Sequence, residues 1–169
     1  LDSIASRDDF PSNVPKFVYA LMHMHRKHPE APWIFLSGCD TYVVPENLAL
    51  SLEGLDPSHK LLVGGHPGVI NGERFLSGGA GIALSNGFVR ALAPQACLLL
   101  SEWIEVEGPR LQCSPCSDVT FAFFARRLGA TTVTRPCFFA FWPQYYSLPP
   151  EGGGGEAGVL PEGCRGFLP

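Results

Sequence analysis

The sequence predicts an α/β domain, on three observations. Short apolar, aromatic or β-branched runs at Trp33–Leu36, 60–63 and 130–134 have the length and composition of strands. Between them lie longer segments whose apolar residues recur near the 3.6-residue period of a helix packed on one face. With 169 residues, 46% hydrophobic and 17% charged, the chain has the length and apolar content of one domain with an ordinary core.

Taken in order, residues 1–11 are polar, carry Asp8 and Asp9, and read as a loop or lead-in. Residues 14–28 put Phe17, Leu21, Met24 and His28 on one helical stripe with Val18 and Met22 beside them, and Pro29 and Pro32 close it. The strand Trp33–Leu36 follows. Beyond a loop at Gly38, Cys39 and Asp40 it is expected to resume over 42–44. Pro45 suits the first position of a helix through Leu48, Leu50, Leu52 and Leu55, stopped by Pro57. The strand at 60–63 runs into a loop at 64–68, Gly-Gly-His-Pro-Gly.

Ser85 stands where it can cap a helix over 86–100, with Phe88, Leu92 and Ala96 on one face and Pro94 kinking or ending it. Residues 101–116, with Glu102, Glu105 and Glu107, read as an exposed connection with solvated acids. The helix Ser117–Leu128 buries Val119, Phe123, Phe124 and Leu128 and stops at Gly129, and the strand at 130–134 follows. Residues 1–148 thus form one domain. Residues 149–169, with the EGGGGEAG stretch at 151–158, form a Gly/Pro-rich linker or tail.

The net charge of -4, with no basic cluster longer than Arg126-Arg127, argues against nucleic acid, which needs a basic face to neutralise phosphates. No apolar run approaches the roughly 20 residues that span a bilayer. Six cysteines point to an oxidising lumen and one or two disulfides, with the pairing open. Cys113-Ser-Pro-Cys116 could be half a zinc site, but no second Cys-x-x-Cys or His pair completes four ligands, and a thioredoxin-like redox pair is no better supported. His23 and His25 are two residues apart and point to different sides of a helix, so the histidines of 14–28 read as a solvated polar face.

Three stretches can carry chemistry. Asp40 ends a buried strand in a loop tight enough to use Gly38, which lets a carboxylate face a cleft. In Ser77-Gly78-Gly79-Ala80-Gly81 the glycines allow close backbone approach and N–H donation to a sugar or diphosphate, or simply serve a steric turn. The pattern is neither a dinucleotide fingerprint nor a Walker loop. Asp118 lies in a first helical turn, where an acid favours the macrodipole by about 0.3–1 kcal/mol whatever else it does.

Together these stretches resemble the fringe-like and core-1-like β-1,3-glycosyltransferases of the inverting GT-A class. Trp33, Asp40-Thr41-Tyr42-Val43 and Glu46-Asn47-Leu48 match that family's W-F/Y-x-x-x-D-D-D-T-Y-V-x-x-E-N-L pattern, with Gly38 and Cys39 in place of the first two acids of the triplet. Ser77 to Gly81, with Leu84 and Ser85, match its S-G-G-A-G-x-x-L-S segment. Asp118 matches the second acid of a pair that opens a helix, Ser117 replacing the first, and Phe139 stands where several relatives have a metal-binding histidine. The match runs from about Val14 to Tyr146.

The resemblance implies a GT-A-like mixed sheet between helices, without the N-terminal nucleotide-binding units. It implies a hexosyltransferase that moves sugar from a UDP-sugar to a hydroxyl of a glycan or glycoprotein, in the Golgi or ER lumen, anchored through upstream sequence. Asp118 would be the general base, Asp40 the metal ligand and donor contact, and Ser77, Gly78, Gly79, Ala80 and Gly81 the cleft lining. Mn²⁺ would be held weakly, by Asp40 and diphosphate oxygens, while Cys39, a soft ligand, is expected to be packed or disulfide-bonded. Trp103 and Trp142 could stack on sugar or belong to the core. Two alternatives stand beside this: an impaired homologue that binds a glycan or protein, and a lumenal, disulfide-stabilised α/β domain whose aromatics contact carbohydrate.

Overall fold

The computed structural model describes residues 9–135 and 137–140. Helix α1 (Asn13–Lys27) leads to strand β1 (Trp33–Leu36), helix α2 (Pro45–Leu52) and a long hairpin of β2 (Leu61–Ile70) and β3 (Glu73–Ser85). Helices α3 (Asn86–Leu92), α4 (Ala96–Glu102), α5 (Gly108–Leu111) and α6 (Ser117–Leu128) precede strand β4 (Thr131–Thr134). The sheet order is β1-β3-β2-β4, with β3 antiparallel to both neighbours and β4 parallel to β2. The fold is therefore a mixed α/β one, as the alternation of periods predicts.

Strand alternation sends side chains to two cores. Ile34, Leu36, Leu62, Ile82 and Leu84 face a large core with residues of α1, α3, α4 and α6. Trp33, Phe35, Leu61, Val63 and Ala83 face a smaller one with Leu48 and Leu52 of α2. The sheet is thus covered on both sides, densely on one. Because side chains alternate with a period of two, a one-residue slip of β3 would exchange the cores, so burial on both faces fixes the register.

Several details differ from the sequence expectation. Residues 42–44 form no strand. The buried stripe of α1 is Val14, Val18 and Leu21, rotated away from Met24, which is 41% exposed. The loop expected at 64–68 belongs to β2, because Asn71 (φ 47°) and Gly72 (φ 85°) make a tight hairpin turn that carries pairing out to Ile70↔Glu73. Residues 101–116 are no exposed connection: a π-helical stretch at Trp103–Glu107 and α5 bury Trp103 and Leu111 completely.

The acids of that stretch are not merely solvated either. Glu107 pairs with Arg110 at 2.6 Å and Glu102 with Arg127 at 2.8 Å. Ser85 caps α3 as expected, its Oγ accepting from Phe88 N at 3.1 Å. The same hydroxyl accepts from Leu61 N at 2.9 Å and donates to His59 O at 2.6 Å, tying α3 to the start of β2. Pro94 ends α3, and a 3-10 turn at Ala93–Gln95 passes the chain to α4. Among the described residues no helix is long and apolar enough to cross a membrane.

Candidate functional site

The glycine segment is neither turn nor loop. Pairing between β2 and β3 is regular up to Gly64↔Ile82 and resumes at Gly65↔Ser77, so Gly78, Gly79, Ala80 and Gly81 leave the ladder together as one long bulge. Gly81 has φ +79°, and a Cβ there would strike the Phe35 ring and come within 2.9 Å of Leu36 O. At Gly79 a Cβ would lie 2.6 Å from Ala140 O, and at Gly78 3.1 Å from Asp118 Cβ. Gly79 and Gly81 leave no room for a side chain, and at Gly78 a Cβ would need Asp118 to give by a few tenths of an ångström.

Two of the bulge's peptide groups are claimed by the other two motif segments. Gly78 N–H donates to Asp118 Oδ2 at 3.1 Å, across 40 residues of sequence. Gly79 C=O accepts from Thr41 Oγ1 at 3.1 Å, across 38 residues. The bulge therefore lies between the start of α6 and the loop that carries Asp40.

Asp118 is the second residue of α6, where its charge meets the positive end of the helix. It is half-buried, and its Oδ1 accepts from Val119 N at 2.9 Å. Each carboxylate oxygen thus receives one backbone hydrogen bond and keeps a lone pair. Behind it the helix is wrapped in protein: Val119, Thr120, Phe121, Ala122, Phe123, Phe124 and Ala125 are all buried, more than the expected stripe. Farther along α6, Arg126 pairs with Glu73 at 3.1 Å and lies 5.5 Å from the Phe123 ring centre.

Asp40 is exposed, in a turn closed by Thr41 N to Gly38 O at 3.3 Å. A Cβ at Gly38 would fall 2.5 Å from Asp40 Oδ1, so the side chain of Asp40 occupies the space that an acid at 38 would enter. Among the described residues no three His, Cys, Asp or Glu side chains gather into a group that could hold a metal ion. One carboxylate does not make a cage for a hard cation. The bulge's glycines and Asp118 meet, Thr41 joins Asp40's loop to them, and Phe139 is half-buried in the neighbouring segment.

Cys39 has a free, exposed thiol, contrary to the expectation of a packed or bonded residue, and so has Cys97. Cys113 and Cys116 form a disulfide with each other, and Cys137 is disulfide-bonded as well, in line with the expectation of one or two bonds. Trp103 belongs to the core. It is fully buried, with its indole Nε1 donating to Ser114 O at 3.0 Å, and offers no face to a sugar. Trp142, Tyr146, the 151–158 stretch and Cys164 lie outside the described residues.

Sequence reasoning missed Thr41 as the residue that attaches the Asp40 loop, although it sits within the motif. It also missed Gly65, where a Cβ would strike the Phe138 carbonyl. The overlooked signal for this geometry was Asn71-Gly72, a hairpin dipeptide that turns 61–85 into one paired unit and forces the intervening glycines to bulge. No protein-family model matches the chain, and no curated protein is significantly similar to it.

Proposed function

We propose that the chain is the central and C-terminal portion of an inverting, fringe-like GT-A β-1,3-hexosyltransferase that uses a UDP-sugar, acting in the Golgi or ER lumen. The observation that carries this reading is the meeting of the three motif segments at one bulge, through Gly78 N to Asp118 and Thr41 to Gly79 O. Segments that resemble the family as separate strings are joined to one another in space, which supports reading them as parts of one site. The disulfides support an oxidising compartment.

In this reading Asp118 takes the proton of the acceptor hydroxyl as that oxygen attacks the anomeric carbon, and the nucleotide diphosphate leaves from the opposite face. Its two backbone hydrogen bonds fix the carboxylate while leaving a lone pair for the proton. Ser77, Gly78, Gly79, Ala80 and Gly81 would line the donor and acceptor cleft in this reading. A divalent cation such as Mn²⁺ would be held by Asp40 and the donor's own diphosphate oxygens, where it would neutralise the charge of the leaving group.

A second reading, an impaired homologue that binds glycan or protein, is favoured by Gly38, Cys39, Ser117 and Phe139 standing where the family has acids and a histidine. Calorimetric titration with UDP, with and without Mn²⁺, on the chain and on Asp40→Ala separates the two. The first reading expects metal-dependent binding that the substitution abolishes; absence of binding under both conditions supports the second. Where turnover is found, Asp118→Asn should lower it by about 10²–10⁴-fold, the range of general-base catalysis, with donor affinity unchanged. Turnover that survives the change would remove Asp118 from the role.

A further inference from the structure

We propose that the Cys113–Cys116 disulfide is a redox latch on Asp118: oxidised, it holds the first turn of α6 against the glycine bulge; opened by a dithiol, it lets that turn move away. The functional consequence rests on the reading of Asp118 given above, whereas the structural device does not.

Cys116 occupies the N-cap position of α6, and among the described residues no side-chain hydrogen bond caps this helix. The Cys116 carbonyl accepts from Thr120 N at 2.9 Å and from Thr120 Oγ1 at 2.8 Å, so the cap residue is joined to the helix by its backbone. In the first turn Val119 N–H is answered by Asp118 Oδ1, and the N-cap side chain adds no hydrogen bond of its own. To these backbone bonds, and to the Cys116 N–H that donates to Cys113 O at 2.9 Å, the disulfide adds a covalent anchor.

The other half of the bond is rigidly seated. Cys113 is buried, its N–H donates to Gly108 O at 3.0 Å, and the buried Trp103 indole holds Ser114 O at 3.0 Å inside the disulfide ring. Asp118 lies two residues beyond Cys116, and its Oδ2 bond to Gly78 depends on where the first turn sits. A cross-link between residues three apart restrains the unfolded chain little, so its main effect is local. Opening it should loosen the Asp118 turn and leave the sheet intact.

Access and chemistry suit reversible opening. Cys116 is half-buried and Cys113 buried, so Cys116 is the more exposed residue of the pair and the expected point of attack by an incoming thiolate. One sulfur of a small or protein dithiol bonds to Cys116 Sγ as the Sγ–Sγ bond breaks, and Cys113 leaves as a thiolate that takes up a proton. The dithiol's second sulfur then closes its own disulfide and releases Cys116 as a thiolate, for two electrons in all. At the start of a helix the Cys116 thiolate is favoured, which keeps the open form reactive toward reoxidation.

The test reads amide hydrogen exchange at Gly78, whose N–H bonds Asp118, against Leu84 in the core of β3. In the C113S/C116S variant, which leaves the Cys137 bond in place, Gly78 should exchange at least about tenfold faster with Leu84 unchanged. Unchanged Gly78, or equal acceleration at both amides, overturns the latch. A second arm keeps the native chain in buffers graded in reduced and oxidised dithiothreitol, a small dithiol, and maps alkylated cysteines by mass. Cys113 and Cys116 should become labelled while Leu84 stays protected; labelling only together with loss of Leu84 protection overturns the latch. A Gly78 response in a chain without UDP binding leaves the latch standing and removes the transferase reading, whereas turnover with an unmoved Gly78 does the reverse.

Discussion

Asp118 and Asp40 flank the same glycine bulge, yet the chain holds them in different ways. Asp118 starts a helix wrapped on all sides by the core, and both its oxygens accept backbone N–H groups. Asp40 stands exposed in a turn whose link to the bulge is its neighbour's hydroxyl. The difference follows the demands of the proposed chemistry. Proton transfer depends on a carboxylate placed within a few tenths of an ångström, whereas a carboxylate that meets a cation carried by the donor diphosphate can adjust on binding.

The residue that would break both sides at once is Gly81. It combines φ +79° with a Cβ position occupied by the Phe35 ring and crowded by Leu36 O, on the strand that leads to Asp40. Gly81→Ala should cost about 3 kcal/mol, the sum of a left-handed backbone penalty and an overpacked contact. For a domain of this size that is a fall of about 10 °C in Tm by differential scanning calorimetry. A loss below about 1 kcal/mol would mean that the bulge yields easily and is not a fixed platform.

Much of this was legible in the sequence because it is periodic or local. The strand at Trp33–Leu36, the Ser85 cap, the Pro94 break and the Gly129 stop each depend on a few neighbouring residues. The bulge was not legible, since Gly78 and Gly79 look the same in a turn as in an interrupted strand, and the decision lies with β2 and the hairpin at Asn71-Gly72. The stretch around Trp103 reads as an exposed connection because three acids suggest solvent, although the core is one of the places expected for the tryptophan itself. Its burial is decided by Phe123, 5.7 Å away between ring centres, and by Ser114. The free thiol of Cys39 depends on how far the other sulfurs lie from it, which spacing does not reveal.

A milder change separates the two sides. Thr41→Val keeps size and removes the hydroxyl that donates to Gly79 O. The bond is exposed and water can replace it, so stability should fall by about 0.5–1 kcal/mol. Exchange at Gly78 should be unchanged, while UDP affinity falls several-fold if the Asp40 loop serves the donor. Faster exchange at Gly78 would show instead that the loop and the α6 start move as one.

The smallest expected effect concerns the far half of α6. Arg110 donates Nε and Nη2 to Glu107 Oε2, at 3.0 and 2.6 Å, and Arg126 of α6 approaches the same oxygen at 3.8 Å. The Arg110 hydrogen bond, aided by the nearby guanidinium charges, holds the Glu107 carboxyl below its ordinary range. A lowered folded value means stabilisation that is complete above the unfolded-chain value and disappears as pH falls through the folded one. Glu107→Gln should therefore lose about 0.2–1 kcal/mol at neutral pH, and the difference in Tm should close on acidification and shrink in about 1 M salt. Gly78 exchange should not respond, because charge anchors this half of α6 to the 103–110 stretch while backbone bonds and the disulfide hold the Asp118 turn. A response at Gly78 would make α6 a single lever, with Asp118 governed from both ends.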